Sequence, residues 1–123
     1  MVSTDYLAYR EHLDDRLKQL GIELPGPMSG FARLHKKAVE EGALSSKTKE
    51  LMALAISIAV RCEGCIAYHT YDAIKAGATH QELLETIGVA ILMGGGPASM
   101  YATHAMDAIE QVFAAQNEPE PSG

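Results

Sequence analysis

Residues 47–69 read KTKELMALAISIAVRCEGCIAYH, and this stretch decides the fold class. Its middle, 51–60, is apolar on almost every side of a helix, and a helix of that kind needs cover around most of its circumference. Ser45 or Ser46 stands ready as its cap. Glu63-Gly64 interrupts the pattern, and helical spacing resumes at Cys65 and runs to Ala76, before Gly77. Outward on either side the same period recurs. Tyr6, Tyr9, Leu13, Leu17 and Leu20 fall three and four residues apart over 5–20, with Gly21 as a stop. Pro25, Gly26 and Pro27 then break the chain before a helix over 29–41, ended by Gly42. Thr79 precedes Glu82 by three residues, a capping box for a helix reaching about Met93. Gly94 to Pro97 reads as a loop, with Pro97 placed to start a last helix to about residue 116. Sustained apolar/polar alternation and Asn-Gly or Asp-Gly hairpin signals are missing. The expectation is an all-α, single-domain bundle of about six helices over residues 1–116, followed by a disordered tail over 117–123.

Composition sets outer limits. A chain of 123 residues, 47% hydrophobic and 21% charged, has the make-up of one globular domain. Ten Lys and Arg face sixteen Asp and Glu, a formal charge of -6, which disfavours nucleic acid as a partner. The basic group Arg33, His35, Lys36 and Lys37 reads as a solvated helix face. The run 51–60 is about half the ~20 apolar residues of a membrane span, and the acidic N-terminus does not resemble a signal peptide. No membrane association and a cytoplasmic location are therefore expected. A second over-apolar helix, 86–93, competes with 51–60 for the centre of so small a domain. Self-association is the economical way to cover both.

Cys62 and Cys65 are the only cysteines. In a chain without a secretion signal, that spacing points to redox or metal chemistry. A cysteine opening a helix meets unpaired N–H groups and the positive dipole end, which favour a thiolate. His69 lies one turn beyond Cys65 on the same face and can take or return its proton. Cys62 is near enough to form a disulfide with Cys65 if the Glu63-Gly64 turn permits, and Gly64 supplies freedom there. Glu63 opposes a second negative charge and Arg61 favours it. Zinc is the other reading of Cys62, Cys65 and His69, and it needs a fourth ligand such as His35 or His104. Tyr68 and Tyr71 read as packing residues, as does His104 with Met100 and Asp107. Gly94 to Gly96 lacks the Lys-Ser/Thr of a phosphate loop and reads as a hinge.

Glu50, eleven intervening residues, then Cys62-x-x-Cys65-x-x-x-His69 resembles the alkyl hydroperoxidase D (AhpD)-like branch of the carboxymuconolactone decarboxylase family, over roughly 44–111. The resemblance implies an all-helical fold assembling as trimers or hexamers and thiol peroxidase activity on a small hydroperoxide, with no metal or other cofactor. By position, Cys65 would attack the peroxide, Cys62 would resolve, and His69 with Glu50 would relay protons. The disulfide would be reset by an external dithiol reductant of lipoyl or thioredoxin-like type. Gly64 departs from the hydroperoxidase pattern, which has a second histidine there. Competing readings are the decarboxylase chemistry of the family's other branch and a non-enzymatic redox-sensing or metal-binding module. Geometry sets one condition: a straight helix would put Glu50 roughly 18 Å from Cys62. A role for Glu50 needs an early helix end, a steep return of the next helix, or a neighbouring subunit.

Overall fold

The structure, a computed structural model, describes residues 4–117, and every element in it is helical. α1 (Tyr6–Glu23) is capped by Asp5, whose carboxylate accepts the Ala8 N–H at 3.0 Å. Gly21 does not stop this helix, which continues to Glu23. α2 (Pro25–Val39) begins earlier than expected. Pro25 opens it, because a first-turn position needs no intrahelical N–H and suits the fixed φ of proline. α3 (Ser46–Ala59) is capped by Ser45, whose hydroxyl accepts the Thr48 N–H at 3.0 Å. α4 is Glu63–Lys75 and α5 is His80–Asn117.

The predicted capping box at the head of α5 is present. Thr79 Oγ1 accepts the Glu82 N–H at 3.1 Å, and Glu82 Oε1 accepts the Thr79 N–H at 2.8 Å. Lys47 adds an ion pair to Glu82 at 2.9 Å, which ties the start of α5 to the start of α3. The Lys47 and Thr79 bonds hold the Glu82 carboxyl below its ordinary range.

Two expected loops are shorter than the sequence suggests. The stretch from Gly94 to Pro97 is not a loop: only Gly95 leaves helical geometry, at φ 70 and ψ -153, so α5 is two arms meeting at one residue. Glycine is favoured there because that φ disfavours a Cβ. Gly94 beside it allows close packing, since a Cβ would stand 2.6 Å from that of Ala98 and 3.4 Å from Ala59 Cα. At the end of α3 the chain reverses through Arg61, a non-glycine residue in the left-handed region at φ 62. Gly64, expected to supply that freedom, lies inside α4. Its small size matters instead for the approach of α1: a Cβ would meet Leu13 Cδ1 at 3.2 Å.

α3 runs through the centre, packed against both α4 and α5, and its Leu54 and Ile58 are fully buried with Ile66 of α4 and Leu83 of α5. Burying each such side chain contributes about 1.5–3 kcal/mol. α1 lies across α4, and α2 folds back along α1 with no buried residue of its own. α5 is long and apolar enough to cross a membrane by length and composition, with a window of mean hydropathy 1.3. The expectation of no such segment rested on the uninterrupted run in α3. The Gly95 break divides α5, and Leu83, Ile87, Ala102, Ala105 and Ile109 of its two arms join the core. Asn117, expected in the tail, ends α5, and the rest of the tail, 118–123, lies outside the described residues.

Candidate redox site

The reversal at Arg61 brings α4 back along α3, and this meets the condition on Glu50. His69, midway along α4, reaches Glu50 in the first turns of α3, with Nδ1 2.8 Å from Oε2. Steep return, rather than proximity to Cys62 along one helix, makes the pair. Glu50 is 5% exposed, so this is a desolvated carboxylate with an imidazole partner. A hydrogen bond of this kind fixes the ring and leaves Nε2 as the nitrogen that can exchange a proton.

Cys62 and Cys65 are joined as a disulfide, with Cα atoms 5.3 Å apart. α4 starts two residues earlier than expected, so Cys62, not Cys65, is its N-cap. The Cys62 sulfur accepts the Cys65 N–H at 3.3 Å. Both sulfurs therefore lie at the positive end of α4, and in the dithiol form that N–H would favour a thiolate on Cys62.

The two cysteines and His69 open on a cavity of about 490 Å³. Leu13 and Leu17 of α1 wall it, with Phe31, Leu34 and His35 of α2 and with Gly64 and Tyr68 of α4. Among the described residues, no Lys, Arg, Asp or Glu lines it. Tyr68 donates its O–H to Asp14 at 3.0 Å, and burial together with that bond pushes its phenol up to about 12.

His35 was expected on a solvated face and is exposed. From α2 it also reaches over α4, where its ring meets that of His69 edge to face at 6.1 Å between centroids. Ligand atoms of His35, Glu50 and Asp72 lie within 4.8 Å of one another. One imidazole and two carboxylates form a donor set that a divalent cation such as Mn²⁺ or Zn²⁺ accepts. The zinc set weighed from the sequence, Cys62 with Cys65 and His69, is not formed while the two sulfurs are bonded to each other. Burial and then the Glu50 charge raise the Asp72 carboxyl above its ordinary value, and Arg10, 3.9 Å away, partly offsets them. Arg10 in turn stacks on Tyr71, 3.9 Å from the ring centroid.

Glu63 turns away from the cavity. Its Oε2 lies 2.7 Å from His104 Nδ1 and its Oε1 accepts the Tyr6 O–H, a contact joining α1, α4 and α5. Sequence reasoning missed this cluster, and it named His35 and His104 only as candidates for a fourth zinc ligand. The spacing of Met100, His104 and Asp107 marked a polar position on α5, but nothing local shows which helix it faces.

Residues 25–108 match the profile of the carboxymuconolactone decarboxylase family, which spans most of the chain. The chain belongs to the carboxymuconolactone decarboxylase family. An uncharacterised protein of Cupriavidus necator is 34% identical over 105 residues, covering 85% of this chain and 93% of its own length. A protein of the cox locus of Paracoccus denitrificans, also uncharacterised, is 34% identical over 82 residues, covering 67% and 74%. Among solved structures, apo-lpg0406 of Legionella pneumophila, a member of the family, is similar with a TM-score of 0.85 and 42% identity, covering 89% of this chain and 98% of that one. The family member TM1620 of Thermotoga maritima gives a TM-score of 0.78 at 26% identity, with 92% and 93% covered. The all-α fold expected from the sequence is thus a carboxymuconolactone decarboxylase family fold.

Proposed function

We propose that this protein is an AhpD-like thiol peroxidase that reduces organic hydroperoxides with the Cys62/Cys65 pair. The observation that carries this reading is the joining of a disulfide, a histidine and its buried carboxylate partner at one apolar cavity. TM1620, to which the chain is similar, is suggested to take part in an antioxidative response, which agrees with it.

The cycle starts from the reduced pair. Cys65 thiolate attacks the terminal peroxide oxygen, the O–O bond breaks, and the leaving alkoxide takes a proton from His69, giving an alcohol and Cys65 sulfenic acid. Cys62, its thiolate favoured at the helix cap, attacks that sulfur. The S–O bond breaks, and the hydroxide leaves as water once protonated. An external dithiol then reopens the disulfide by exchange and is itself oxidised. Glu50 holds the His69 ring and stabilises its protonated form. Leucine and phenylalanine walls suit an alkyl or aryl hydroperoxide. They do not suit the carboxylate-rich substrate of the decarboxylase reading, which would want cationic anchors.

Assembly belongs to the same proposal. Met52, Ile56 and Val60 form an exposed stripe on α3, and Val89, Leu92 and Met93 extend exposed apolar surface along α5. Contiguous apolar surface of this kind is covered by another chain in stable proteins, here a second copy in a trimer or hexamer.

The test is consumption of cumene hydroperoxide by the wild type, Cys65→Ser and Cys62→Ser with dihydrolipoamide or a reduced thioredoxin as donor. Cys65→Ser should abolish turnover. Cys62→Ser should stop after one equivalent, leaving a sulfenic acid that dimedone traps. Sustained turnover by Cys65→Ser would overturn the assignment.

A further inference from the structure

Glu63 is the charged residue between the two cysteines, and its sequence position sets it against thiolate formation. A first-turn carboxylate left free folds toward the N–H groups at the head of its helix. In α4 that place is held by the Cys62 sulfur, which accepts the Cys65 N–H. An untethered Glu63 would compete for it and set an anion beside the dithiol.

The tether is specific. His104 Nδ1 donates to one carboxylate oxygen at 2.7 Å and the Tyr6 hydroxyl donates to the other. Tyr6 is 4% exposed and is itself fixed, its backbone N–H donating to Gln111 at 2.7 Å. Burial, then the bond to Glu63, raises the Tyr6 phenol, so it remains a protonated donor. Tyr101 stacks near His104 at 5.1 Å, and Asp107 faces Tyr6. None of Tyr6, Glu63 or His104 lines the cavity, so the cycle above makes no use of them.

The geometry points to Glu63 as a positioning residue: Tyr6 and His104 hold its carboxylate away from the sulfurs, so that the reduced pair ionises without an adjacent anion. The role deepens the peroxidase reading and rests on it for its purpose, but it concerns only the reduced thiols and is measured without peroxide.

The experiment follows iodoacetamide alkylation of the reduced protein from pH 5 to 10 and reads the thiol pKa, with thermal melts to check folding. Release brings a unit negative charge toward the sulfurs, and a rise of about half a pKa unit, about threefold in thiolate population, is expected from such a neighbour. His104→Ala should therefore slow alkylation at pH 7 about threefold, and Tyr6→Phe should act in the same direction. His104→Asn places an amide N–H where Nδ1 stood and should restore most of the wild-type rate. His104→Ala combined with Glu63→Gln should return to the wild-type rate or exceed it, because the charge is gone. An unchanged pKa in His104→Ala overturns the role, and so does a double variant as slow as His104→Ala alone. A wild-type pair that ionises like free cysteine counts against the peroxidase reading instead. The difference between the single and double variants still decides Glu63.

Discussion

Replacing Glu50 with Gln keeps the shape of the side chain and removes its charge. The Glu50–His69 contact is 2.8 Å long and its carboxylate is 5% exposed, so solvent screens it little. A hydrogen bond to a charged group contributes about 1.5–3 kcal/mol against about 0.5–1.5 for a neutral one, so the exchange costs about 1–1.5 kcal/mol where His69 carries the proton. At about 1.4 kcal/mol per decade, the rate of a step that uses that proton falls about tenfold. The assay is a single-turnover stopped-flow measurement of cumene hydroperoxide reduction by the prereduced protein, so that the donor does not enter. His69→Gln, which removes the proton carrier itself, should lose about a hundredfold or more. The Asp72 carboxyl supplies a second readout. Part of its elevation comes from the Glu50 charge, so its pKa by NMR should fall in Glu50→Gln. A Glu50→Gln protein that reacts at the wild-type rate while Asp72 shifts as expected would show the charge to be felt but unused. The relay assignment would then fail.

Three further outcomes are expected. Asp72 has a folded pKa above the unfolded value of 3.8, so the native state holds the extra proton between the two, and stability declines as pH rises through that window. Asp72→Asn should lack the decline, and urea unfolding from pH 3.5 to 7 that shows the wild-type slope unchanged would refute it. Leu54→Ala empties a fully buried site between α3 and its neighbours and should cost about 2–5 kcal/mol in urea denaturation. A loss under about 1 kcal/mol would mean that the core closes around the gap. Leu92→Glu with Met93→Lys places charge on residues 79% and 77% exposed in the single chain. Light scattering should give an oligomer for the wild type and a monomer for this variant, and a monomeric wild type would remove the proposed interface.

Local signals in the sequence reached far. Ser45 as the α3 cap and Thr79 with Glu82 at the head of α5 are exchanges between a side chain and backbone within four residues, so they are legible wherever the chain goes. The CxxC pair with His69 one turn on is local in the same sense, and so is a helical period without strand alternation. At Gly64 local reasoning failed because a neighbour from another helix had the deciding say. Gly64 looked like a hinge, whereas Leu13 of α1 fills the space a side chain would need and Arg61 makes the turn. Pro25-Gly26-Pro27 looked like a break, whereas α2 starts on it.

What the sequence by itself determined is the set of helices and the chemistry each carries, because caps, period and the spacing of Cys62, Cys65 and His69 act within a turn or two. Only the tertiary structure decided which groups meet. The reversal at Arg61 lays His69 on Glu50, the return of α2 brings His35 over it, and the packing of α1 and α5 takes Glu63 away from the sulfurs. Those pairings depend on how five helices cross. A crossing is set by the shape of buried surfaces drawn from distant parts of the chain, and no short stretch of sequence records it.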